Sequence, residues 1–440
     1  MNYENKDSNI PNLLLITRNA WSNDISTGNT MSNFFSNWKY PISNLYCRDE
    51  KIKNDICEKY YRITERELIN TFLSKKTVGT KIFHSFSEEE KASLEIEENM
   101  IREQKKYDFF RTHRLQIFLW GRELIWKNGK WKNFKLDEFL DEISPNIIMM
   151  PLYDCFYMYD ILLYIYERTK AKIVIYTGDD MYTFRQLSLS PLRWLDLFLR
   201  RKKIRKVIKL SSMRFCLSEK QSLEYSKIFG KRFLNIPKYA QIEERREQEK
   251  INFPIIMLYT GNIILGRYKV LGKIGEVIEK INKKEEKIQL HIYTGNQLTK
   301  GMKKTLNKKG VFFHGKISSQ EVKKRQEEAD VLVHVEDFSY RNRMKVRLSF
   351  STKIVDYMGK GKAIFAVGPK DVASIDYLLN KDAAIVATNN IEVECKLKKI
   401  VSDPQILLEY AEKSYKVCQD SHDESTIQSL LYSNLEKLIG

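Results

Sequence analysis

Among its 440 residues the chain has no Cys-x-x-Cys pair, no His-x-x-x-His pair and no Asp-x-Asp pair. The six cysteines are scattered from Cys47 to Cys418 without regular spacing, which argues against a zinc knuckle and a disulfide framework; reduced, buried thiols are the expectation. The other two absences leave no ready site for a divalent cation, so the expected chemistry uses no metal and no resident cofactor. Glycine (18) and proline (9) are scarce, and 42% of the residues are hydrophobic, which excludes a collagen-like or disordered chain. Long apolar runs are missing too: Ile147 to Tyr166 comes nearest and is broken by Pro151, Asp154 and Asp160, whereas a spanning helix wants about 20 predominantly apolar residues. Met1 to Pro11 is polar, without the basic tip and apolar stretch of a secretory signal, so a cytoplasmic location is expected.

What the chain does have is charge. Its net +18 calls for an anionic partner: nucleic acid, a phosphorylated donor or a membrane surface. Nucleic acid is set aside, because no RNA- or DNA-binding module is recognisable and the aromatics are not interleaved with basic residues.

Length favours two domains. Leu13 to Ile16 is a buried strand feeding a polar loop that contains Gly28, and strand-like runs follow at Ile42–Cys47, Ile147–Met150, Ile173–Tyr176 and Phe215–Leu217. Helical patterns at Met31–Trp38, Glu88–Lys106 and Leu136–Ile143 separate them. Gln241 to Lys250, rich in Glu, Arg and Gln, is the best linker. The alternation then restarts with strands at Ile255–Tyr259, Ile288–Tyr293, Val311–Phe313, Val331–Val335, Ala363–Val367 and Ala384–Ala387. Helices are expected at Val270–Ile281, from a Ser318/Glu321 capping box to Ala329, and at Thr352–Met358. Alternating β and α implies mostly parallel sheets, whose ligands bind beyond the carboxyl ends of the strands. The fold class is therefore α/β, with two Rossmann-like domains facing a cleft. Its expected parts are 1–240 on the acceptor side, a linker at 241–252, a donor-binding domain at 253–422 and a terminal helix at 423–440 packing back on the first domain.

Three loops of the second half carry the chemistry. Thr260-Gly261-Asn262 to Gly266-Arg267 is a glycine-bearing turn with an arginine just before a helix. The planar fork of Arg267 suits a diphosphate, although a surface arginine beside a helix start satisfies the same pattern. In Ser351-Thr352-Lys353 to Asp356, Ser351 can cap the helix, the backbone N–H groups with Lys353 make a phosphate cradle, and Asp356 stands one turn on, where it can accept from ribose hydroxyls. His314-Gly315-Lys316-Ile317 can pair its backbone with a nucleobase edge or simply turn the chain.

The order and spacing of these segments, over Ile255 to about Ser402, resemble the C-terminal domain of GT-B glycosyltransferases, closest to family four. The resemblance implies sugar transfer from a nucleotide-diphosphate sugar, as co-substrate, to a glycan, protein or lipid-linked acceptor, for instance in bacterial surface polysaccharide or glycoconjugate assembly. It places Arg267 and Lys353 on the diphosphate and Asp356 on the ribose, with Gly261, Gly315, Lys316, Ile317, Ser351 and Thr352 around them. One departure stands out. The family shows two glutamates separated by seven residues, the second on this helix; here the second place holds Asp356 and the first falls on Leu348, so Glu336 is the substitute candidate. The missing acid also motivates an alternative, a catalytically inactive accessory subunit binding glycan or a partner transferase.

The N-terminal half resembles the acceptor domain more weakly. Its Gly28 loop would face the donor, and Asp24 and Asp180, the latter in Thr177-Gly178-Asp179-Asp180 after a strand, are the candidate bases for an acceptor hydroxyl, although a structural cap or turn role fits each equally well. His113 reads as a packed or surface histidine. Leu192 to Lys209 has an apolar half followed by a dense basic half; it fits either a core helix with solvated charges or a segment lying peripherally on the anionic inner face of a membrane.

Overall fold

The computed structural model describes residues 10–21, 26–50, 52–73, 77–83, 116–186, 188–240, 242 and 250–440. Asp24, His113, the helix expected at Glu88–Lys106 and most of the 241–252 linker lie outside the described residues.

Two sheets organise the rest. The first has eight strands in the order β4-β3-β2-β1-β5-β6-β7-β8, namely β1 (Leu13–Thr17), β2 (Ile42–Tyr46), β3 (Lys59–Arg62), β4 (Thr80–Phe83), β5 (Ile147–Pro151), β6 (Lys172–Thr177), β7 (Met213–Cys216) and β8 (Leu234–Asn235). Only the edge strand β4 runs antiparallel. The second sheet is all parallel, in the order β11-β10-β9-β12-β13-β14: β9 (Ile255–Thr260), β10 (Ile288–Tyr293), β11 (Val311–His314), β12 (Val331–Val335), β13 (Ala363–Val367) and β14 (Ile385–Ala387).

Central strands such as Leu-Leu-Leu-Ile-Thr and Ala-Ile-Phe-Ala-Val are buried at every position, because helices cover both faces of a parallel sheet. Three strands were not foreseen. In β3 (Lys-Tyr-Tyr-Arg) and β4 (Thr-Lys-Ile-Phe) short apolar runs are bracketed by charges, and β8 is only two residues long, so none carries a usable period. The helices follow their apolar stripes: Arg267–Ile281 buries Val270, Leu271, Ile274, Val277 and Ile278, and the capping box at Ser318/Glu321 opens Ser319–Glu328.

Strand order reverses at β1, which lies between β2 and β5, and again at β9, which lies between β10 and β12. Such a reversal splays the flanking crossover helices to opposite faces and opens a crevice at the carboxyl end of the strand. The two crevices face each other. After Gln405–Ser421 packs on the second sheet, the helix Glu424–Glu436 crosses to the first: Tyr432 stacks edge-on against Trp38 (centroids 4.9 Å) and donates to the Phe34 carbonyl at 3.0 Å, while Leu431 and Leu435 are buried in a cluster that runs through both halves.

Candidate functional site

Between the sheets lies a cavity of about 570 Å³. Thr17, Arg18 and Gly28 line it from the β1 side, Gly178 and Asp179 from the end of β6, and Thr260, Asn262, Arg267, His334 and Ser351 to Lys353 from the second sheet.

Arg267 opens its helix behind Gly266, whose φ of +79° and whose missing Cβ, which would strike the Asp337 carboxylate, require glycine. The guanidinium is held on two sides. It donates to both oxygens of Glu336 (Nη2 to Oε1 2.8 Å, Nε to Oε2 3.2 Å) and through Nη1 to Asn262 Oδ1 at 2.9 Å. Glu336, at the end of β12, is buried; burial raises its pKa and Arg267 opposes the rise. Burial likewise works against the charge on Arg267, but Glu336 outweighs it and the net shift is upward.

Lys353 is open to the cleft, and its ammonium donates to the Thr260 carbonyl at 2.9 Å. Desolvation by the cleft walls lowers its pKa, and Arg267 lowers it further. Gly261 has a φ of +151°, a conformation that side chains rarely adopt, and its missing Cβ leaves room for this ammonium. Behind the two cations, His334 in β12 is buried, its Nε2 has no hydrogen-bond partner, and Glu336 Oε1 lies 3.7 Å away. Burial first, then Arg267 and Lys353, push its pKa down to about 3, so the ring is neutral. The site thus brings Arg18, Arg267 and Lys353 to one cavity with a neutral imidazole, with Asp154 and Asp179 on the wall of the first sheet, so that guanidinium and ammonium donors face space an anion with several oxygens can fill.

Several expected residues stand elsewhere. Asp180 does not line the cavity. Its carboxylate accepts from the backbone N–H groups of Tyr182 and Thr183, from the Thr183 hydroxyl and from the Tyr225 hydroxyl at 2.9 Å, so it ties a turn together outside the cavity. Its neighbour Asp179 faces the cavity and accepts from Ser349 Oγ at 2.6 Å. Asp356 is paired with Lys238 Nζ at 2.5 Å, across the junction of the two halves and outside the cavity lining. Ser351 occupies the cap position of Thr352–Gly359 but makes no side-chain cap; its own N–H donates to Ser374 Oγ at 2.9 Å. Gly315, Lys316 and Ile317 follow β11, the outermost strand of the second sheet, away from the cavity lining.

Leu348, where the resembling family has its first acid, is fully buried in the core of the first half. Its carbonyl accepts from Ser218 Oγ at 3.0 Å, and next to it Arg347 makes a bidentate pair with Glu224. The segment has become a plug between the halves. His334 escaped the sequence reading, while Asn262 and Arg18 lie in the loops it singled out but were given no role; the signal for His334 was one imidazole inside the otherwise apolar Val-Leu-Val-His-Val. Among the described residues no three of His, Cys, Asp and Glu gather as a metal site would require.

No family model matches the chain, and no curated protein matches it. Solved structures do. A sucrose-phosphate synthase from Thermosynechococcus elongatus overlays 97% of this chain on 98% of its own, with TM-score 0.62 and 10% identity. HepE from Anabaena, in complex with UDP and glucose, overlays 97% on 99% with TM-score 0.61, also at 10% identity. TarM overlays 68% of this chain on 57% of its own with TM-score 0.52 and 13% identity, so the match spans little more than half of TarM. At such identities the likeness speaks for architecture alone, and the architecture is the expected one: two Rossmann-like α/β domains facing a cleft, the GT-B fold.

Proposed function

We propose that the chain transfers a glycosyl group from a nucleoside-diphosphate sugar to a glycan, protein or lipid-linked acceptor hydroxyl. The observation that carries this reading is the convergence of Arg267 and Lys353 at the switch point of the second sheet, inside a cavity whose opposite wall comes from the first. In this reaction the bond between the anomeric carbon and the diphosphate oxygen breaks, the acceptor oxygen bonds to that carbon, and the acceptor proton leaves to a base or to the departing phosphate. Charge develops on the diphosphate, so two preplaced cations and the start of the helix at Thr352 stabilise the leaving group without a metal. The bidentate Glu336 holds the Arg267 fork at one angle, leaving the Asn262 side of the guanidinium turned towards the cavity. Of the two aspartates that line the cavity, Asp154 and Asp179, the second is free of an arginine partner and is the one we take to meet an acceptor. That HepE was crystallised with UDP and glucose supports a uridine donor as the first one to try.

The test is a panel of nucleoside diphosphates in thermal denaturation. A ligand at 100 times its Kd stabilises by about 2.7 kcal/mol. Arg267→Ala should cut the shift by about half or more, and no shift with any diphosphate would overturn the reading. The burial of Leu348 in place of an acid favours a second reading, a non-catalytic accessory subunit that binds glycan or a partner transferase. Hydrolysis of a nucleotide sugar by the purified chain, lost in the Arg267 variant, would eliminate that reading.

A further inference from the structure

The helix Pro191–Leu210 is built inside out over its first two turns. Facing the core are Asp196 and Arg200, 9% and 7% exposed and paired at 3.2 Å, with Trp120 Nε1 donating to Asp196 at 3.3 Å. Leu192, Leu195, Phe198 and Leu199 point outwards and are exposed. Sinking an ion pair carries a desolvation penalty that leucines in the same places would not, so packing alone does not explain this choice.

The outward face continues. At about 100° per residue, Lys202, Arg205, Lys206 and Lys209 lie on the same stripe as the four apolar side chains, and all are exposed. The opposite face turns Leu197, Ile204, Val207 and Ile208 into the core. Solvent therefore meets one stripe that is apolar for two turns and basic for the remainder. Leu189, fully exposed just before the helix, and Phe184, exposed beside it, widen the apolar end.

We propose that this stripe docks on an anionic lipid surface, with Leu192, Leu195 and Phe198 entering the boundary between headgroups and acyl chains and the basic half lying at phosphate level. Each exposed basic side chain gains from the negative surface, and the apolar end supplies the insertion that charge alone lacks. Among the described residues no helix is long and apolar enough to cross a membrane, so the contact is one of lying on the surface. A chain of net charge +18 with four basic residues on this stripe is poorly matched to a second copy of itself. The segment leading to the stripe starts at the cavity: Asp179 and Met181 line it, Tyr182 sits under the Arg201 guanidinium (3.8 Å to the ring centroid), and Phe184 is two residues further on. If the proposed glycosyl transfer holds, a lipid-carried acceptor would enter from this side; the docking itself does not depend on that reading.

The full chain is tested by co-sedimentation with vesicles of phosphatidylcholine containing phosphatidylglycerol, and with phosphatidylcholine alone. Arg200, Arg201 and Lys203 are unsuitable targets, being respectively paired in the core, stacked on Tyr182 and ion-paired with Asp160. The variants are Leu195→Ser with Phe198→Ser, and Lys202→Ala with Lys206→Ala, all at exposed positions where melting should stay at the wild-type value. Wild type should pellet with the anionic vesicles at low salt and not with the neutral ones. The lysine variant should bind about thirtyfold more weakly, and the serine variant should not pellet. The proposal fails if wild type ignores anionic vesicles, or if both variants bind like wild type. It fails equally if the chain forms a lipid-free dimer that the serine variant dissolves, since the stripe would then belong to a second copy.

Discussion

The two switch points of this molecule solve the same topological problem and end in the same pair of charges at different depths. After β1, Arg18 reaches Asp154, which follows the neighbouring strand β5; after β9, Arg267 reaches Glu336, which follows the neighbouring strand β12. The first contact is a single one at 2.9 Å with an aspartate whose side chain is 43% exposed; the second is bidentate with a glutamate that is 4% exposed. Equivalent positions in a doubly wound sheet thus bring an arginine and a carboxylate together, while burial decides what the pair does. Where the acid is exposed, water screens the pair. Buried, it fixes a guanidinium in one orientation, which is what a site for an anionic ligand needs.

The sharpest way to break this comparison is to remove the acid on each side. Glu336→Ala strands Arg267 in a buried setting and should cost about 3–5 kcal/mol of stability in urea denaturation, whereas Asp154→Ala should cost under about 1 kcal/mol. Equal losses would mean that the two ends are energetically alike. Removing the bases should instead separate the ends by ligand. Arg267→Ala is expected to weaken nucleoside-diphosphate binding by about 1.5–3 kcal/mol, read by calorimetry, with Lys353→Ala similar and Arg18→Ala leaving affinity near wild type. A large loss from Arg18 would move the diphosphate to the other wall.

A proton distinguishes the ends as well. His334 is neutral in the fold, with its pKa pushed down from 6.5 to about 3, while in the unfolded chain it takes up a proton below its ordinary value. The stability it contributes is therefore complete above pH 6.5 and is lost as pH falls from there towards 3, at up to about 1.4 kcal/mol per pH unit. Stability of wild type and His334→Gln, measured at pH 7, 5.5 and 4.5, should show the smaller slope in the variant; parallel slopes would mean that the ring takes up its proton in the fold as readily as in the unfolded chain. The smallest effect concerns Asp356. With its ammonium partner Lys238 in the other half, Asp356→Asn should lower stability by under about 1 kcal/mol and leave diphosphonucleoside affinity unchanged. A selective loss of nucleotide affinity, with inorganic pyrophosphate unaffected, would return Asp356 to the ribose role that its place in the helix suggested.

Much of the fold was legible because apolar runs bounded by turn residues report buried parallel strands directly: β10, β12 and β13 lie where the runs place them. Legibility ended where periods ended, at β3, β4 and β8. In the site, Arg267 and Lys353 were readable because glycine turns and helix starts leave local marks in sequence. Between a base and a turn role for Asp180 the sequence could not choose, because Asp179 and Asp180 are equivalent neighbours on paper; the structure shows the Asx-type turn to Tyr182 and Thr183. Leu348 reads as a missing acid; the structure shows what replaced it, a hydrophobic plug seated in the opposite half.

By itself the sequence determined the alternation of strand and helix, the two sheets it implies and the glycine turn and helix start that carry Arg267 and Lys353, since each depends on contacts within a few residues along the chain. Tertiary structure alone decided which charges pair, which carboxylate faces the cavity and which side of Pro191–Leu210 meets solvent. Those outcomes depend on partners such as Glu336 for Arg267, 69 residues away, or Asp356 for Lys238, 118 residues away, and a one-dimensional pattern carries no term for the desolvation that settles them.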